Sequence, residues 1–154
     1  MNTLTESDTA QCVEMCNKML RGERSAVEAY DLAIERFETE PAVSQLRRIR
    51  DEHIRSVLEL EANIVEMGGE PDEDAGAWGI FTKAVQITAN FLGEESAIEA
   101  LAQGEKKGLY DYQEATGEEW LMPYCRILYN RSLIPRIESH LRTLDMIEET
   151  VTQS

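Results

Sequence analysis

The stretch "RRIRDEHIRSVLEL", residues 47–60, places a histidine inside an otherwise apolar stripe. Leu46, Ile49, His53, Val57, Leu60 and Ile64 recur at three- and four-residue steps, so they share one face of a helix that has to be buried. An imidazole buried in such a seam needs a polar partner. That partner has to come from elsewhere in the chain, because every other position of the stripe is apolar.

The same periodicity continues on both sides and predicts an all-α fold, with helices at about 5–38, 42–67, 77–91, 94–116 and 119–151 in one domain of 154 residues. Glu6 and Asp8 suit the positive end of the first helix, whose seam is Cys12, Cys16, Met19, Glu23, Ala26, Tyr30, Ala33 and Phe37. The turn at Thr39, Glu40 and Pro41 is short, so the second helix returns antiparallel and stops at Gly68 and Gly69. The following "EPDEDAGAWGIFTKAVQITANFLG" is too long for a hairpin turn, and its apolar part from Trp78 to Leu92 reads as a short helix within a crossover.

The next long helix has the seam Ile98, Leu101, Glu105, Gly108, Tyr112 and Ala115 and ends at Gly117. The last is opened by Glu118 and Glu119, tolerates Pro123 in its first turn, and carries Leu133, Ile137, His140, Leu144, Ile147 and Val151. Pro135 removes a backbone hydrogen bond and should kink this helix just before His140.

An internal repeat relates the two halves. "RGERSAVEAYD" (21–31) parallels "QGEKKGLYDYQ" (103–113), with Tyr30 and Tyr112 each seven residues beyond Glu23 and Glu105. "IRDEHIRSVL" (49–58) likewise parallels "RIESHLRTLD" (136–145). Two similar helical hairpins joined by a crossover make an antiparallel four-helix bundle. Each seam is interrupted once, by Glu23, His53, Glu105 and His140, and the repeat places these at one height. A buried layer of two carboxylates and two imidazoles must be paired, protonated or bound to a cation. It is also a ligand set that iron, manganese and zinc accept.

In this arrangement the chain resembles the ferritin-like superfamily of ferritins, bacterioferritins and rubrerythrins, and within it a bacterial branch of unknown function. The resemblance covers nearly the whole chain: four long helices, a long crossover between the second and third, and inward-facing Glu23, His53, Glu105 and His140 in that order. It implies that these four are metal ligands. Family members hold two irons with a further glutamate three residues before each histidine, where this chain has Arg50 and Ile137. Four ligands suit one ion and are poor for two. Glu52 and Glu138, about 100° and 200° around their helices from His53 and His140, face solvent or a neighbouring helix on this reading.

Arg50 lies one turn from His53 and could pair with Glu23 or Glu105 in place of a metal. The favoured expectation is therefore a metal-free structural or interaction bundle, whose core layer is Glu23, His53, Glu105, His140 and Arg50 with Tyr30 and Tyr112 as donors. The alternative is a protein holding one Fe, Mn or Zn ion, with oxidoreductase chemistry on oxygen or peroxide.

Composition limits the partners. With 15 basic and 30 acidic residues, the formal charge of −15 repels phosphate backbones and excludes nucleic acid as a partner. The stretch 75–92 is interrupted by Lys83 and is too short to span a bilayer. Three cysteines without a signal-like leader suggest a reducing, cytoplasmic setting, with Cys12 and Cys16 read as core thiols. The crossover is apolar on two sides, Trp78, Phe81, Val85 and Leu92 on one and Ile80, Ala84, Ile87 and Phe91 on the other, so a homodimer contact through it is expected. No phosphate-binding glycine loop and no Ser-His-Asp or Cys-His arrangement is present.

Overall fold

A computed structural model describes residues 6–37, 40–73 and 93–153. Its elements are α1 (Glu6–Arg36), α2 (Glu40–Glu66), α3 (Glu94–Thr116), a short α4 (Pro123–Leu128), a π-helical turn (Tyr129–Leu133) and α5 (Ile134–Gln153). The described residues are all-α. The expected crossover helix at 77–91, and the dimer contact assigned to it, fall outside them.

Residue pairing gives the topology. Asn17 reaches Glu70, Arg24 reaches Glu61 and Asp31 reaches Arg50, so partner numbers fall as α1 advances and α2 is antiparallel to it. Glu23 meets Tyr112 and Tyr30 meets Glu105, which makes α3 antiparallel to α1 as well. Both α2 and α3 therefore run the same way. α5 runs opposite to α2, with Glu59 against Arg136, Glu52 against His140 and Arg48 against Thr143. This is two antiparallel hairpins joined by a crossover, the arrangement the repeat implies.

Two apolar clusters fill the interior. One gathers Tyr30, Leu46, Ile49, Ile98, Leu101 and Leu144; the other gathers Cys16, Leu20, Leu60, Ile64, Tyr129 and Leu133. The seam residues occupy these clusters because each long helix presents one apolar stripe and has only the other stripes to bury it against. The polar layer lies between the two clusters.

The fourth rod departs from the expected continuous helix starting near 119. Residues 118–122 form a turn, and the helix begins at Pro123, where a missing N–H costs nothing because the first turn has no acceptor for it. The Arg126 guanidinium ties this corner by donating to the carbonyls of Thr116, Glu118 and Leu121. Further on, the kink expected from Pro135 is resolved as the π-helical turn just before it, in which the Ile134 N–H bonds the Tyr129 carbonyl five residues back. A proline ring collides with the carbonyl four residues earlier, and widening the preceding turn relieves that collision without breaking the rod. No helix among the described residues is long and apolar enough to cross a membrane.

Candidate metal centre

Glu23 from α1, His53 from α2, Glu105 from α3 and His140 from α5 meet at one level of the bundle, each 4% exposed or less. The helix stripes that bury their apolar neighbours carry these four inward at the same time. His53 is central: its Nδ1 lies 2.5 Å from Glu23 Oε2 and its Nε2 lies 3.0 Å from Glu105 Oε2. Burial alone would push the His53 imidazolium down, but the charges of Glu105 and Glu23 outweigh it and raise the pKa from 6.5 to about 10. Protonated at neutral pH, His53 donates both N–H groups, one to each carboxylate. Burial likewise favours the neutral form of Glu105, yet His53 and His140 overcome that effect and hold its pKa down at about 2.

The tyrosines complete the layer. Tyr30 donates its hydroxyl to Glu105 Oε2 at 3.0 Å, and Tyr112 donates to Glu23 Oε1 at 2.8 Å. Burial, reinforced by Glu105 for Tyr30 and by Glu23 for Tyr112, holds both phenols well above their ordinary pKa, so they remain donors. A cavity of about 30 Å³ adjoins the layer between α1 and α3, where Gly22, Gly104 and Gly108 leave room beside Glu23 and Glu105. That is space for a single water-sized molecule.

His140 poses a bonding problem. Its Nε2 is 2.8 Å from Glu52 Oε1, while its Nδ1 is 3.3 Å from Glu105 Oε1. An imidazole carrying one proton can donate to only one of these oxygens. The shorter contact is to Glu52. A proton there leaves the Nδ1 lone pair facing a carboxylate oxygen, two acceptors with nothing between them, and only a second proton or a cation makes that contact favourable. Ligand atoms of His53, Glu105 and His140 all lie within 4.8 Å of one another, close enough to share one ion.

One sequence-based assignment changes. Arg50 stands apart from the layer: it pairs with Asp31 at 3.0 Å and with Asp51 at 3.2 Å, and its side chain is 28% exposed. A residue three positions before His53 is about 60° away around the helix, and on α2 that offset is enough to carry a long side chain out between α1 and solvent. Arg50→Ala should therefore change stability by about 1 kcal/mol or less, as partly exposed pairs do, and not by the several kcal/mol expected of a core counter-ion. Denaturant titration of the variant measures this; a loss above about 3 kcal/mol would return Arg50 to the core.

Glu52 takes the second of the two orientations expected for it. It faces the neighbouring α5, where it meets His140 while Arg48 lies 3.4 Å from its other oxygen. The available signal was its place one residue before His53, on the flank turned to the antiparallel partner helix. Ile137, three residues before His140, is a buried apolar side chain beside Gly108.

Residues 11–118 match the family described as a domain of unknown function, DUF2383. The chain belongs to this family. The matched span holds Glu23, His53 and Glu105 and stops before His140. Comparisons with curated proteins and with solved structures give no match.

Proposed function

We propose that this protein is a metal-binding bundle of ferritin-like type that holds one divalent iron, manganese or zinc ion in its core layer. The observation that carries this reading is that ligand atoms of His53, Glu105 and His140 lie within 4.8 Å of one another in a buried layer. The donor set fits such an ion: Glu105, His53 and His140 are buried with ligand atoms within 4.8 Å of one another, and Glu23 stands at the same level on the other ring nitrogen of His53. His53, Glu105 and His140 would hold it, with Glu23 as the second carboxylate of the layer, and Glu52 would fix the orientation of His140 from behind. When bound, the ion would supply Lewis-acid chemistry or, as iron or manganese, electron transfer. Tyr30 and Tyr112 keep the carboxylates oriented, and the adjoining cavity admits only a very small reactant, which agrees with oxygen or peroxide as the substrate class.

A second reading is favoured by a different observation. Glu23, His53, Glu105 and His140 all have protein partners in the absence of an ion, with His53 bridging both carboxylates. On that reading the layer is an ion-pair network that specifies helix register in a structural bundle.

Elemental analysis of protein purified without chelators separates the two. The metal reading expects about one equivalent of Fe, Mn or Zn, and about 10- to 100-fold weaker retention in Glu52→Gln, because removing an outer partner misorients the ligand it held. Folded protein with no stoichiometric metal, and no uptake on reconstitution with Fe(II), Mn(II) or Zn(II), leaves the structural bundle.

A further inference from the structure

Away from the layer, at the end of the bundle where α1 starts, the three cysteines come together on one side of the core. Cys12 is taken up by the backbone, donating to the Trp120 carbonyl at 3.3 Å and accepting from the Met122 N–H at 3.3 Å, so it ties the 118–122 turn to α1. Cys16 and Cys125 are arranged differently. Their sulfurs are 4.0 Å apart, and the thioether of Met67, just beyond the end of α2, is 3.9 Å from Cys125 Sγ.

We propose that Cys16, Cys125 and Met67 form a second, soft-metal site that takes one Cu(I) ion. Three donors about 2.3 Å from a shared metal are separated by about 3.8 Å in tetrahedral and about 4.0 Å in trigonal geometry. The Cys16–Cys125 and Cys125–Met67 separations, two of the three edges, fall in that range. Thiolate and thioether donors suit soft ions, and the thioether, outside the usual Cys, His and carboxylate set of zinc, favours Cu(I) among them, whereas the oxygen and nitrogen donors of the core layer suit harder ions.

Binding releases two S–H protons to solvent and adds one positive charge, so the site becomes net negative and each thiolate needs a donor in a buried setting. Each has one. Asn63 Nδ2 donates to Cys125 at 3.2 Å and lies 3.7 Å from Cys16, and the Tyr129 hydroxyl is 3.0 Å from Cys16 Sγ. The π-helical turn begins at Tyr129, and it is in this wider turn that Tyr129 faces Cys16. The bonds are already asymmetric: the Cys16 thiol donating to Cys125 holds the Cys125 pKa down, burial opposes this, and Asn63 assists. Cys16 and Cys125 are fully buried while Met67 is partly exposed, which leaves the thioether as the side from which an ion enters. The Tyr129 ring meets Tyr112 edge-on at 4.9 Å, and Tyr112 reaches Glu23, so the two sites share a wall without sharing a ligand.

Anaerobic titration of the reduced full-length protein with Cu(I), against a chromophoric Cu(I) chelator, tests the proposal. About one equivalent should be withheld from the chelator, with loss of two titratable thiols. Cys125→Ser should weaken retention by about 100-fold and Met67→Leu, which keeps the apolar volume, by about tenfold, each with wild-type helicity by circular dichroism. Cys12→Ser and Glu105→Gln should leave Cu(I) retention unchanged. The second of these controls separates this site from the core layer, since Glu105→Gln is expected to impair Fe, Mn or Zn binding alone. Failure of the folded wild-type protein to withhold Cu(I), equal loss in Cys12→Ser, or retention by the Cys16→Ser/Cys125→Ser double variant would each overturn the assignment.

Discussion

Replacing Glu105 with alanine is expected to destabilise the metal-free protein by about 3 to 5 kcal/mol, the range for removing one partner of a buried ion pair. The side chain accepts from Tyr30 and His53 and faces His140. Its loss leaves the His53 imidazolium with one carboxylate where it had two, and strips the buried Tyr30 hydroxyl of its acceptor. The cost of these orphaned groups exceeds what the vacated volume alone would account for, because a charge without its partner in a low-dielectric core is far more costly than a missing methylene. Equilibrium urea unfolding with an unchanged slope measures the effect. Glu105→Gln is the informative companion: it keeps an acceptor for Tyr30 but no longer neutralises His53, so it should recover only part of the loss. A change below about 1 kcal/mol in Glu105→Ala would mean that the layer contributes little to stability.

The second large effect is a pH dependence of the chelator-treated protein. His53 has its folded pKa raised from 6.5 to about 10, so the stability it contributes is fully present below pH 6.5 and disappears as pH rises through about 10. Glu105 is shifted the other way, from 4.5 to about 2, so its contribution is present above pH 4.5 and disappears as pH falls through about 2. Both shifts register the same attraction between the two groups. One interaction is therefore lost at either extreme, and the two must not be added. The expected profile is a plateau between pH 4.5 and 6.5, with a decline of several kcal/mol on the alkaline side that continues to about pH 10. Other groups titrate over the same range, so the useful quantity is the difference between wild type and His53→Gln. That difference should shrink as pH rises from 7 to 10; a constant difference would show that His53 is not held protonated by its neighbours.

These effects depend on residues that differed in how far the sequence revealed them. His53, Glu105, Glu23 and His140 were visible because each interrupts an apolar stripe, and a polar residue on a buried face has few alternatives to meeting other polar residues. Tyr30 and Tyr112 followed from the repeat, seven residues beyond their glutamates and hence two turns along the same face. Arg50 was misplaced for a reason of the same kind. Periodicity gives the angle at which a side chain leaves its helix, but a long flexible side chain ends several ångströms from that direction, and Asp31 on the adjacent helix captured it. Glu52 was expected to face solvent or a neighbouring helix, and it faces α5. What could not be read was which of the two lies on that flank.

The sequence by itself determined that the chain is helical, that its hairpins repeat, and that four ionisable side chains converge in the core, because each of these follows from spacing along one chain. Tertiary structure alone decided which atoms meet: that His53 bridges two carboxylates, that His140 turns its second nitrogen to Glu52, and that Cys16, Cys125 and Met67 from three separate segments bring their sulfurs within 4.0 Å of a neighbour. Periodicity specifies a face, whereas a bond depends on the rotation, height and partner of two faces at once, and those are set only when the rods pack.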